Sequence, residues 1–214
     1  MLIEIQAVGP FFKNGFVVAC DRTRDGVLID PGAEVESLLA FADRKRIALK
    51  YILLTHAHID HITGVGVAKR TLGVPVYLHH DDVFLYDQAA AQGAMFGIPI
   101  DPLPPVDQFY VPGQVLGFGE VEARPHHTPG HCPGGVCLQI GPTGTGGQDL
   151  FVGDTLFAGS IGRTDLPGGD FATLMTSIRG VLFAFGDEAR VYPGHGPTTT
   201  IGRERRTNPY LITQ

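Results

Sequence analysis

The sequence predicts a single layered α/β domain covering residues 1–214, and three observations carry that prediction. Short runs of branched and aromatic residues alternate with stretches of helical period along the whole chain. The 214 residues are enough to bury one hydrophobic core. An apolar content of 43% beside 29 glycines and 16 prolines describes a folded chain rich in turns, far from the disordered regime.

The elements follow in order. Residues 2–8, 16–20 and 27–29 read as strands, being β-branched or aromatic and separated by Gly, Asn or Asp. In residues 33–47 the apolar side chains of Val35, Leu38, Leu39 and Ala42 recur at steps of three and four, which predicts an amphipathic helix beginning after Asp30-Pro31-Gly32. Residues 51–54 are an apolar run of strand length, and 65–72 are helical in period. A strand is expected at 75–78 and a helix at 82–94, while 99–112 holds five prolines and should be irregular loop. Strands at 121–124, 136–140 and 150–152, a helix at 171–185 and a last strand at 190–192 complete the series. Asp30 and Asp154 each close an apolar run, a weak hint of internal duplication.

Charge and cysteine content exclude several functions. A formal charge of −6 speaks against a nucleic-acid binder, whose affinity needs clustered cations, and the small run Arg203, Arg205 and Arg206 does not supply them. Cys20, Cys132 and Cys137 have no C-x-x-C spacing, so neither a disulfide framework nor a zinc knuckle is indicated, and a cytoplasmic location is expected. No apolar run is long enough to span a membrane and no secretory signal opens the chain, so no membrane partner is expected.

The chemistry concentrates where the strand at 51–54 ends. His56, His58, Asp60 and His61 place three imidazoles and a carboxylate within six residues, the ligand types that hold zinc and similar divalent ions. Three further donors stand beside strand-like runs and next to glycine or proline: His131, Asp154 and His195. Five imidazoles and two carboxylates suffice for two ions sharing one carboxylate and one hydroxide. Asp60 is also read as a catalytic residue. Neither a Gly-x-Ser-x-Gly elbow nor a catalytic cysteine signature is present, in keeping with a metal-held nucleophile. His127 reads as a satisfied loop histidine rather than a prop for a ligand, and Cys132 as a small buried residue. Arg163 either pairs with Asp165 or faces substrate.

On these residues the chain resembles the metallo-β-lactamase superfamily, and within it the short bacterial proteins similar to glyoxalase II, the hydroxyacylglutathione hydrolases. The stretch from Phe151 to Asp170 and the tail from Tyr192 to Pro209 look like that subgroup. The resemblance implies a four-layer αββα sandwich with the site at one edge of its two sheets. It implies that His56, His58 and His131 bind a first metal, that Asp60, His61 and His195 bind a second, and that Asp154 bridges them. The expected cofactors are two divalent ions, zinc, with iron or manganese as alternatives. The expected reaction is attack of a metal-bound hydroxide on a small-molecule thioester such as S-lactoylglutathione.

Departures from the pattern bear on substrate. Arg163 and Asp165 stand where glyoxalase II enzymes use a lysine and a tyrosine to contact glutathione, and their helical C-terminal extension is not matched here, so a weak preference for glutathione is expected. Other members of the fold are set against this reading. β-Lactamases as a family carry cysteine or serine in place of Asp154. Persulfide dioxygenases, which share Asp60 to Gly64 and Gly162 to Asp165 with this chain, use a single iron held by the residues matching His56, His131 and Asp154. They are the alternative reading.

Overall fold

The computed structural model describes residues 1–98 and 100–212. In the first half, β1 (Leu2–Val8), β2 (Lys13–Ala19) and β3 (Asp25–Ile29) form an antiparallel meander. Helix α1 (Val35–Arg44) then carries the chain to β4 (Ala48–Leu53), which pairs parallel with β3. Two helices, α2 (Ile59–Ile62) and α3 (Val65–Leu72), lead to β5 (Val76–Leu78). Two more, α4 (Val83–Asp87) and α5 (Ala89–Phe96), precede β6 (Gln108–Phe109), the far edge of a six-stranded sheet.

The second sheet repeats the scheme. After β7 (Leu116–Phe118), strands β8 (Val121–His127), β9 (Val136–Pro142) and β10 (Asp149–Gly153) form a meander. A small hairpin of β11 (Leu156–Phe157) and β12 (Ser160–Ile161) and helix α6 (Phe171–Gly180) then lead to β13 (Arg190–Pro193), parallel to β10. β14 (Thr199–Thr200) adds the edge, and α7 (Ile201–Thr207) and α8 (Pro209–Ile212) follow.

Strand alternation sorts the core into three apolar layers. In β2, Phe16 and Val18 face the other sheet, where they meet Leu138, Ile140 and Phe151, while Val17 and Ala19 face α1 and α3. In β10, Phe151 faces inward and Leu150 and Val152 point out to Leu174 and Ile178 of α6. Helices over a sheet, sheet over sheet, and sheet over helices make the αββα sandwich that the resemblance implied.

Several boundaries differ from the sequence reading, each for a local reason. The helix expected from residue 33 starts at Val35 because Glu34 sits at φ 57, outside helical geometry, and it stops before Arg46, at φ 54. The helix expected over 82–94 is divided at Gln88, whose φ of −90° and ψ of 12° interrupt the spiral. The helix expected over 171–185 ends at Gly180, and a separate 3-10 turn takes Leu182–Ala184. The proline-rich stretch begins at residue 99, outside the described residues. Within it Gln108–Phe109 pairs with Tyr77 and Leu78, so the loop donates an edge strand. All three cysteines are free and buried. No helix among the described residues is long and apolar enough to cross a membrane.

Candidate metal centre

The seven donors read from the sequence converge at one edge of the sandwich. The turn after β4 delivers His56 and His58, α2 delivers Asp60 and His61, the turn after β8 delivers His131, the exit of β10 delivers Asp154, and the exit of β13 delivers His195. Three sets of donor atoms lie within 4.8 Å of one another: His56, His58 and His131; His56, His61 and Asp154; and Asp60, His61 and His195. The Asp154 carboxylate lies between the outer sets, with Oδ1 3.4 Å from His61 Nε2, and Oδ2 3.4 Å from His195 Nε2 and 3.7 Å from His131 Nε2. Asp60 Oδ2 is 3.1 Å from His195 Nε2 and 3.7 Å from His61 Nε2.

Hydrogen bonds behind the rings fix which nitrogen is offered. The Thr55 hydroxyl donates to Asp30 Oδ2 at 2.7 Å, so toward His56 Nδ1, 3.1 Å away, it accepts. His56 therefore keeps its proton on Nδ1 and presents the Nε2 lone pair. His61 Nδ1 donates to Asp30 Oδ2 (2.9 Å), His131 Nδ1 to the Arg163 carbonyl (2.8 Å) and His195 Nδ1 to the Phe11 carbonyl (3.1 Å), so these rings also turn Nε2 to the centre. His58 Nδ1 faces His131 Nε2 at 2.8 Å, two ring nitrogens that a shared proton, or a cation, would hold together. His56 Nε2, His61 Nε2 and Asp154 Oδ1 are buried with no hydrogen-bond partner among the described residues. Orphaned donor atoms of this kind are costly unless a ligand satisfies them, and the set of imidazoles and carboxylates fits divalent metal ions.

Electrostatics divide the site. Burial lowers His56 far below the ordinary histidine range, helped by the neighbouring imidazoles, and lowers His58 to about 3. Burial also opposes charge on His61 and His195, but carboxylates win there. Asp60, Asp30 and Asp154 raise His61 to about 9, and Asp154 and Asp60 raise His195 to about 10. Against its own burial, Asp154 is held well below the carboxylate range by His61, His195 and His56.

Supports that the sequence reading missed surround the donors. Asp30, fully buried and in the left-handed region at φ 48, accepts from the Thr55 amide as well as from its hydroxyl and from His61. Lys13, 1% exposed, gives its ammonium to the Asp30 carbonyl. Asn14 Nδ2 donates to the carbonyls of Pro193 and Gly196 and so clamps the His195 turn. Buried Asp82 accepts from Ala57 N, Gly134 N and Cys132 Sγ, tying the first histidine turn to the His131 turn. At Gly194 a Cβ would collide with Asp154 and lie 2.7 Å from the His61 ring, so only glycine lets the backbone pass so near the donors. His127 closes β8 instead of lying in a loop as read from sequence; it stacks on His79 with ring centres 4.0 Å apart and donates from Nε2 to the Pro133 carbonyl, outside the seven donors.

A cavity of about 280 Å³ opens over His58, Asp60, His131, Asp154 and His195. Arg163 reaches its wall, but its Nε and Nη2 each lie 2.7 Å from an oxygen of Asp165. The alternatives of an ion pair and a substrate contact are thus both in play, with the pair formed. A larger cavity of about 560 Å³, between α4 and the proline-rich stretch, contains none of the seven donors.

Comparison with known proteins gives the same picture. A family model described as Metallo-beta-lactamase superfamily matches residues 8–195. The chain is 38% identical over 213 residues to a Haemophilus influenzae protein named hydroxyacylglutathione hydrolase GloC, covering 99% of this chain and 98% of that one. Among solved structures, TTHA1623 in a di-iron-bound form is 41% identical, with a TM-score of 0.86 over 97% of this chain and 100% of that one. BLEG-1, described as a B3 metallo-beta-lactamase, is 36% identical, with a TM-score of 0.89 over 99% of this chain and 100% of its own.

Proposed function

The chain belongs to the metallo-beta-lactamase superfamily, and from that premise we propose that it is a dinuclear metallo-hydrolase that cleaves a small-molecule thioester. The observation that carries this reading is the pair of histidine-rich donor sets with the Asp154 carboxylate between them, beneath an open cavity. In this reading His56, His58 and His131 would hold one ion, Asp60, His61 and His195 would hold the other, and Asp154 would serve both. Two such ions supply a water of lowered pKa and polarise a carbonyl.

The chain's own groups orient and exclude. Asp60, kept below the usual carboxylate range by His61 and His195 in spite of its burial, is an acceptor at neutral pH and orients what lies beside it, rather than storing a proton. Asp30, Thr55 and the Arg163 and Phe11 carbonyls hold four rings in one tautomer each, so little reorganisation is left for the reaction. The GloC relative supports a thioester as substrate. Two metals are proposed because the outer sets, His56, His58 and His131 and Asp60, His61 and His195, share no residue, and the di-iron neighbour agrees with that count while leaving zinc, iron and manganese all compatible.

The test is elemental analysis of protein purified without added metal, beside assays with S-lactoylglutathione and a chromogenic cephalosporin. Two ions per chain with thioester hydrolysis is the expected result. The likeness to BLEG-1 favours one second reading, cleavage of a β-lactam amide, and reopens a substrate that the presence of Asp154 alone had set aside. A cephalosporin hydrolysed more efficiently than the thioester would establish it. One iron per chain with oxygen uptake in the presence of glutathione persulfide would overturn hydrolysis in favour of the dioxygenase.

A further inference from the structure

The cavity over the donors has one apolar wall. Leu85, Met95 and Phe96 from α4 and α5 line it together with Phe11 from the turn before β2, and Leu166 and Pro167 also line the cavity. Phe11 and Phe96 meet edge to face with ring centres 5.4 Å apart. Met95 is 75% exposed and Phe96 46% exposed, a high degree of exposure for side chains of this size placed together at the mouth of a polar site. The arginine that reaches the cavity, Arg163, is paired with Asp165 through Nε and Nη2. Among the described residues lining the cavity there is no other lysine or arginine.

A thioester brings two halves to such a site. An anionic half, such as a glutathione thiol, finds the one arginine of the cavity lining already sharing its charge with Asp165. An apolar half finds a wall whose exposed surface is released from water on contact. We infer that the acyl half of the substrate is aliphatic or aromatic and lies along Phe11, Leu85, Met95 and Phe96, and that the thiol half is small and contributes little. The inference rests on the hydrolytic reading above and narrows it to thioesters of apolar acyl groups. The break at Gln88 between α4 and α5 fits this role, because it lets both helices present apolar side chains to one cavity.

The experiment uses metal-loaded protein and two readouts. The first is kcat/KM for the acetyl, butanoyl and hexanoyl thioesters of N-acetylcysteamine, a neutral thiol, beside S-lactoylglutathione. The second is binding of acetate, butanoate and hexanoate, the carboxylate products, which needs no turnover. Both should rise about two- to fourfold per methylene. Met95→Ala and Phe96→Ala should flatten both series, acting on exposed side chains outside the buried core. Hydrolysis of the acetyl ester with no dependence on chain length overturns the inference and leaves the thioesterase reading standing. So does a preference for the glutathione ester beyond about a hundredfold, more than an unmade charged contact forfeits. Carboxylate affinity that rises with chain length while no thioester is cleaved supports the apolar slot and sinks the hydrolytic reading instead. Flat carboxylate binding with no hydrolysis removes both.

Discussion

Asp30 never touches the cavity, yet one carboxylate there settles the tautomer of two histidines, His61 directly and His56 through Thr55. Asp30→Asn keeps the shape and removes the charge that receives three hydrogen bonds. Metal affinity should fall about 10- to 100-fold, as for other groups that orient a ligand from behind. Competition against a chromophoric chelator measures it, with far-UV circular dichroism as the control for folding, and an unchanged affinity would show that His61 needs no prop. The contrast between donors and props also explains what could be read in advance. His56, His58, Asp60 and His61 are dense in sequence, and His131, Asp154 and His195 each stand at a strand end beside glycine or proline. Asp30 was visible at a strand end, but its bond to His61 spans 31 residues, and Lys13 and Asn14 carry no mark of burial in the sequence. Such residues become meaningful only when folding brings a partner to them.

At the level of elements, α5 steadies the first histidine turn through one side chain. Gln92 accepts from Ile59 N at 3.0 Å and donates to the carbonyls of Ala57 (3.2 Å) and Leu85 (2.7 Å), so it ties α5 both to α4 and to the turn carrying His58. Gln92→Ala leaves those backbone groups to find water or go unpaired. Urea unfolding of metal-free protein should show a loss of about 1–3 kcal/mol. A loss within error of zero would mean that solvent already serves these groups. The same pair of helices shows where pattern reading stops. Long strands such as β1 and β9 were legible because branched side chains and apolar runs persist for several residues. The two-residue strands β11, β12 and β14 were not, since two residues display no period, and the interruption at Gln88 leaves no glycine or proline to announce it. α7 opens with Thr200 capping Arg203 N at 3.2 Å, a signal that was present but short.

Over the whole molecule, protonation and metal loading oppose each other. In metal-free protein His61, raised to about 9, and His195, raised to about 10, both hold a proton at about pH 7.5, and each must release it to offer a lone pair. Titration with Zn²⁺ should therefore release protons, seen as binding heats that vary with the ionisation enthalpy of the buffer. Heats independent of buffer would contradict the raised values. The sign for stability follows from the same shifts. A pKa raised on folding stabilises fully below the unfolded value of about 6.5 and is lost as pH climbs through the folded one. Lys13 acts in reverse: burial lowers it to about 8 against the pull of Asp30, Asp60 and Asp154, so its cost eases as pH rises above that value. With two histidines set against one lysine, the Tm of chelator-treated protein should fall between about pH 7 and 10, and that of loaded protein should hold. The repeated topology gives the centre a mechanical meaning as well. β1 to β4 and β8, β9, β10 and β13 follow one sequence of strand directions, with Asp30 and Asp154 at matching ends. Each donor set mixes the two repeats: His56 and His58 with His131, His56 and His61 with Asp154, Asp60 and His61 with His195. An ion in any of them is a clasp across the seam, so chelation should unfasten the two sheets at that edge first. Amide exchange should then quicken at the exits of β4, β10 and β13 while the meander strands stay protected.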